Sequence, residues 1–170
     1  MTRVGCLLAA VGVLAFIGVP SASGLRAERI GAAGVSVALP EGWHAIRQSD
    51  YRSQNDPVTR IVASSGPIAF GRGCNDLDYR FPSTAVAIVV VEWVRLKQGR
   101  LPPRPRSFTA KNLPVRPPPA LECFSGPGGG VQFSERGRRF AAYILLGKRA
   151  PSSLARSARV VLNTLRVRRS

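Results

Sequence analysis

The chain carries one histidine, His44, directly after Trp43 in "PEGWHAI". Any Ser–His–Asp arrangement would have to use it. No serine, however, stands in the Gly-x-Ser-x-Gly elbow that presents a nucleophile. Glu92 is the second candidate. It follows the apolar run "TAVAIVVV" and precedes Trp93, a setting in which burial would raise its carboxyl pKa. Pairing with Arg95 or another cation at the strand end is the reading preferred over a catalytic one. A glycosidase needs a second carboxylate facing the first, and the sequence nominates none. Residues 75–78, "NDLD", offer oxygen ligands beside Cys74. Calcium takes about six to eight oxygens, and this spacing matches no EF-hand loop. The run "SGPGGG" lacks the following helix and the Lys-Ser or Lys-Thr pair of a phosphate loop, so it reads as the tip of a hairpin. These residues assign no catalytic group, metal or cofactor. A small hydrolase using Glu92 or His44 stays as an alternative.

The cysteines are more informative. Cys6 lies in the first residues and Cys74 and Cys123 in the body of the chain. If the leader is removed, these two permit a single pairing, and an oxidising compartment favours it. Closing that loop would restrict the unfolded chain by about 4 kcal/mol on the chain-entropy estimate. Neither flank, "GRGCNDLD" nor "LECFSG", sets a base beside the sulfur, as a nucleophilic thiol would require.

The leader itself has three parts. Arg3 is the positive end, residues 4–19 are an unbroken apolar run, and Pro20 precedes the small residues Ser21 and Ser23. This predicts a signal peptide over residues 1–23 and a mature chain of residues 24–170. The apolar run falls short of the roughly 20 residues that span a bilayer. No twin-Arg pair is present, and no cysteine near the cut could take a lipid. The expectation is a single secreted domain, long enough to bury roughly 70% of its unfolded surface.

Charge supplies the main functional signal. The formal net charge of +16 is unevenly placed. Residues 24–92 hold seven Arg and seven Asp or Glu, whereas residues 93–170 hold seventeen Lys or Arg against Glu122 and Glu135. The densest run, "RLKQGRLPPRPR", spans residues 95–106. Such asymmetry points to polyanions as partners. The competing explanation is compositional, since Arg outnumbers Lys 22 to 3. That bias would not by itself empty the second half of acids. Specific nucleic-acid reading is not indicated. Phe108 is the only aromatic over residues 94–122, whereas single-strand readers stack bases on several. No zinc-finger spacing or helix-turn-helix pattern occurs.

The elements that position these residues follow from periodicity. "GVSVALPEGWHAI" predicts a strand with Val35, Val37 and Leu39 on one face, a Pro-Glu-Gly turn, and a second strand from Trp43. "TRIVASS" is a short strand, and residues 66–83 read as an irregular connection. "TAVAIVVVEWVRL" and "RFAAYILLG" are apolar at both parities and predict central strands covered on both faces. "LECF" and "VQFSERG" are shorter strands between them. "LPPRPRSFTAKNLPVRPPPA" is a proline-stiffened crossing that hugs the surface and is barred from a sheet centre. The tail predicts a helix with Leu154, Ala158, Val161, Leu162 and Leu165 on one stripe. Arg156, Arg159, Asn163 and Arg166 fall opposite, and Arg166, Arg168 and Arg169 stand at the C-terminal end of the dipole. The expected fold class is α+β, an antiparallel sheet with the C-terminal amphipathic helix packed on one face. The second face needs its own cover, from the N-terminal strands or the proline segment.

"VSVALPEGW", "GRRFAAYILLG" and "ARSARVVLNTLRV" together resemble small secreted domains of the PsbP-like superfamily. They also resemble actinobacterial exported domains that end in a similar helix. The resemblance implies a non-catalytic accessory role and carries over no cofactor or metal ligands. It covers residues 39–43 and roughly 138–167; the cysteine pair and the basic proline segment fall outside it.

The functional expectation is a secreted, non-enzymatic domain whose basic half associates with an anionic envelope polymer or acidic lipid surface. The binding residues would be Arg95, Lys97, Arg100, Arg104 and Arg106, with Arg156, Arg159 and Arg166 as a second patch. A protein-binding module using the proline segment or an open sheet edge is the third reading.

Overall fold

The structure, a computed structural model, describes residues 28–47, 49, 56–71, 79–95, 99–117 and 124–169. The expected leader, Lys97, the "NDLD" run, Cys74, Cys123 and all but the last residue of "LECF" lie outside these. Among the described residues the strands are β1 (Glu28–Ala32), β2 (Val35–Leu39), β3 (His44–Ala45), β4 (Val58–Ser64), β5 (Ala69–Phe70), β6 (Tyr79–Arg80), β7 (Val86–Trp93), β8 (Gly128–Glu135), β9 (Arg138–Leu146) and β10 (Arg166–Val167). The helix is α1 (Ser153–Asn163). The fold is mainly β, with antiparallel sheets and one C-terminal helix packed near the sheet.

β7 and β9 are apolar at both parities, and both take inner positions in a five-stranded sheet of order β3-β4-β7-β9-β8. One face presents Ile61, Ile88, Val90, Phe133, Phe140 and Ile144. Helix α1 meets that face through Ala158, Val161 and Leu162. Burying a side chain such as Leu162 contributes about 1.5–3 kcal/mol. A second sheet, of order β1-β2-β10, adds Val35, Val37, Leu39 and Val167 to the same core, and the proline segment adds Phe108 and Leu113. Both candidates for covering the second face therefore join the helix on the first.

The opposite face, with Val62, Val89, Val91, Ala141 and Leu145, is covered instead by Ile46 and Tyr79, with Ile68, Phe70, Phe81 and Phe124 packed against them. Most of this cover comes from the connection after β4, where β5 and β6 form a two-stranded ladder. Four aromatics in that stretch and at Phe124 supply the apolar area that its short strands lack.

Three further expectations are corrected. Gly128–Gly130 is not a hairpin tip; these residues lie in β8, opposite Tyr143–Leu145 of β9. The turn is at Arg136 and Gly137, with φ of 53° and 77°, the two successive positive values that suit the twist of a two-residue hairpin. The glycine run serves a close approach instead. A Cβ at Gly129 would collide with the carbonyl oxygen of Pro114 as the proline segment passes over β8. Phe124 of "LECF" is not in a strand.

The third correction concerns the tail. Helix α1 ends at Asn163, and the chain turns at Thr164 into β10, which pairs with β2. Arg166 is therefore a sheet residue with Arg168 just beyond the strand, and the last turn of the helix holds no basic side chain. Thr164 makes the turn by accepting a hydrogen bond from the Ala38 N–H at 2.7 Å and donating one to the Val161 carbonyl at 2.7 Å.

Candidate functional site

The proline segment does more than cross the surface. Arg104 N–H donates to the Ser134 carbonyl at 3.0 Å, and Ser134 N–H donates to the Pro102 carbonyl at 2.7 Å. At the far end Arg116 and Gly128 exchange both backbone hydrogen bonds, at 2.9 and 3.1 Å. Proline cannot serve as a full ladder partner, so the segment touches β8 at its two ends and covers the edge between them.

Its other flank lies against α1 and the turn that follows it. Arg104 Nη1 donates to the Leu165 carbonyl at 2.9 Å. Phe108 N–H donates to Asn163 Oδ1 at 2.6 Å, and Asn163 Nδ2 returns a bond to the Phe108 carbonyl at 3.3 Å. Arg159 Nε donates to the Leu113 carbonyl at 3.1 Å. These rungs run antiparallel along helix and segment. Between or just beyond them stand Arg106, Lys111, Arg116 and Arg156, all exposed, with no ion pair or side-chain hydrogen bond among the described residues. No acid occurs in residues 99–117 or 148–169, so neither flank supplies a counter-charge.

Glu135, from β8, meets one cation of the seam. Its Oε2 lies 3.0 Å from Arg104 Nη1, a Coulombic contact whose nitrogen directs its hydrogen bond to Leu165. Arg104 and Arg159 are thus largely committed to the fold, and burial lowers the pKa of Arg159. Of the expected binding residues, Arg106 and Arg156 face solvent along the seam. Arg100 is exposed where the segment begins. Arg95 is exposed at the end of β7, and its backbone N–H donates to Asp56 Oδ2 at 3.3 Å. Arg166 is removed from the helix patch to the outer face of the three-stranded sheet. Lys111 and Arg116 were missed. The alternation of basic residues with prolines pointed to the segment, but not to the helix as its neighbour.

Glu92 pairs with cations, as expected, but with Arg138 and Arg60 of the adjoining strands rather than with Arg95. Its carboxylate is buried on the helix-side face of β7. Arg138 of β9 donates Nε to Oε1 at 2.6 Å and Nη2 to Oε2 at 2.6 Å, while Arg60 of β4 donates Nε to Oε2 at 2.7 Å. A bulge in β4 produces this fit, since Thr59 and Ile61 pair with the adjacent residues Val91 and Val90 and leave Arg60 over. Burial alone pushes the Glu92 pKa up, but the hydrogen bonds from Arg138 and Arg60 and their charges outweigh it and hold the carboxyl below its ordinary value. Arg138 is raised in return, chiefly by its bond to Glu92. An ionised carboxylate with both oxygens engaged is a structural anion and a poor proton donor.

His44 is exposed on β3 opposite Ser64, whereas Glu92 faces Val58 at the other end of β4. Six residues of strand separate those positions, roughly 20 Å. They do not converge on one site. Among the described residues no three His, Cys, Asp or Glu side chains gather as metal ligands, and no helix is long and apolar enough to cross a membrane.

Comparison with models of protein families, with curated proteins and with solved structures finds no match for this chain.

Proposed function

We propose that this chain is a secreted, non-enzymatic binding domain that associates with anionic cell-envelope material through the seam between α1 and the proline segment. The observation that carries the reading is the pairing of two acid-free, basic segments side by side, with Arg106, Lys111, Arg116 and Arg156 exposed along them. The prolines hold one row of cations on a stiff backbone and the helix holds the other, so little backbone entropy is lost when an anionic surface arrives. The leader over residues 1–23 and a Cys74–Cys123 disulfide belong to the same reading, as does the accessory role implied by the PsbP-like resemblance.

Each Lys or Arg near an anionic surface contributes about 1 kcal/mol, so four give up to roughly a thousand-fold in partitioning. The test is retention on anionic vesicles or an anionic wall polymer across a salt series. Wild-type retention falls steeply with salt, and Arg106→Gln/Lys111→Gln/Arg116→Gln/Arg156→Gln largely abolishes it at low salt. Retention that ignores salt, or a quadruple variant that binds as well as wild type, refutes the electrostatic role.

A further inference from the structure

The outer face of the three-stranded sheet holds a second concentration of positive charge, separate from the seam. Register fixes which residues share this face. Arg29 pairs with Ala38, Gly31 with Ser36, and Ser36 with Arg166, so all of them point away from the core. Arg168 N–H donates to the Gly34 carbonyl at 2.8 Å and continues the ladder one step, which puts the Arg168 side chain on the same side as Arg166. Arg29, Arg166 and Arg168 are exposed, and the positions between them are Gly31, Gly34, Ser36 and Ala38, with nothing bulky to keep a ligand off the strands. The acid on β1, Glu28, has the opposite parity.

The three guanidiniums are not neutralised by one another's surroundings. Arg29 Nη2 donates to the Thr164 carbonyl at 2.9 Å, to the Ser36 carbonyl at 3.2 Å and to Ser36 Oγ at 3.3 Å, all uncharged acceptors. These bonds lay its side chain across β2 and leave Nε and Nη1 for another partner. Arg166 and Arg168 have no side-chain partner among the described residues. Partial burial, then the charges of Arg166 and Arg168, lower the Arg29 pKa, which is consistent with mutual repulsion across the face.

We propose that this face is a binding site for a slender phosphodiester chain, with Arg29, Arg166 and Arg168 each meeting a phosphate. Arg166 and Arg168 stand two residues apart on one strand, about 7 Å, and the Arg29 guanidinium, rooted on β1, reaches across β2 to the Thr164 carbonyl just before β10. That spacing engages successive phosphates of one chain rather than a single small ion. A lipid surface fits less well. Arg29 is pinned flat along the sheet and cannot extend toward headgroups, and the exposed large apolar residues among those described, Val94 and Val160, lie on β7's outgoing end and on the helix.

The experiment compares Arg166→Gln/Arg168→Gln with Arg47→Gln/Arg80→Gln, which removes the same charge from exposed positions elsewhere. The probes are a poly(glycerol phosphate) oligomer and vesicles of phosphatidylglycerol, read by calorimetry in a salt series. The first pair of substitutions removes no side-chain hydrogen bond, and an unchanged melting temperature verifies the fold. The expected result is oligomer affinity at least about tenfold weaker in that variant than in the charge-matched control. The salt slope falls by about 1.4, from roughly 0.7 per phosphate contact. Equal affinity in the two variants overturns the site. Oligomer binding lost to the seam substitutions alone overturns it too, and leaves the seam standing. If vesicles, and not the oligomer, depend on Arg166 and Arg168, the assignment to a phosphodiester chain is wrong.

Discussion

Replacing Glu92 by Gln removes the one negative charge that lies between Arg60 and Arg138. Side-chain exposure is 6% for Glu92, 10% for Arg138 and 15% for Arg60, so solvent screens the two cations poorly once the carboxylate has gone. Breaking a buried pair by removing one partner costs about 3–5 kcal/mol. A glutamine keeps one acceptor for the arginines, which places the expected loss near the lower end, about 3 kcal/mol. In a domain of this length that lowers the melting temperature by roughly 10 °C. The effect has a defined pH dependence. The folded-state pKa of Glu92 lies below its unfolded value, because the arginine hydrogen bonds and charges outweigh burial. Its contribution is therefore complete above the unfolded pKa of about 4.3 and disappears as pH falls through the folded value. Urea denaturation of wild type and Glu92→Gln at pH 7 and at successively lower pH measures the gap directly. It should be full at pH 7 and close only in acid below pH 4. A gap under about 1 kcal/mol at neutral pH, or one that does not narrow in acid, would refute the structural role assigned to this carboxylate. A Glu92→Gln protein that folds normally yet loses a hydrolytic activity would do so as well.

Other consequences are simpler to state. Gly129→Val drives a side chain into the Pro114 carbonyl, so the Arg116–Gly128 bridge should open and limited proteolysis should cut within residues 100–117, which wild type resists. Asn163→Ala removes both bonds to Phe108 and should cost about 1–3 kcal/mol, with hydrogen exchange at the Phe108 amide rising more than at the amides of β7. Arg136→Gly places an unbranched backbone at φ 53° and should stabilise the β8–β9 hairpin by a few tenths of a kcal/mol to about 1 kcal/mol, measured by thermal melting. Material exported with its leader should resist thiol alkylation until reduced. Ready labelling of Cys74 and Cys123 without reductant would remove the proposed disulfide.

Local pattern made much of the architecture legible. Runs apolar at both parities can be stable only where both faces are covered, and β7 and β9 hold inner positions for that reason. The alternation at Val35, Val37 and Leu39, and the helical stripe at Ala158, Val161 and Leu162, are also short-range signals that tertiary contacts reinforced. The glycine run misled because glycine marks both tight turns and close backbone approach. Only the passage of Pro114 over Gly129 distinguishes the two. The tail misled because an arginine-rich end suits a helix dipole as well as it suits an outward-facing strand.

From the sequence alone came the uneven charge, the covered central strands and the apolar run over residues 4–19. Tertiary structure alone decided which cations became neighbours. Arg104 and Glu135, Arg159 and Leu113, and Arg29 and Arg166 are far apart along the chain and meet only through register and crossing. The same holds for Glu92, whose environment is set by guanidiniums from the two adjoining strands. Hydrophobic periodicity is a property of consecutive residues, whereas electrostatic environment depends on distances between elements, and no one-dimensional pattern encodes those.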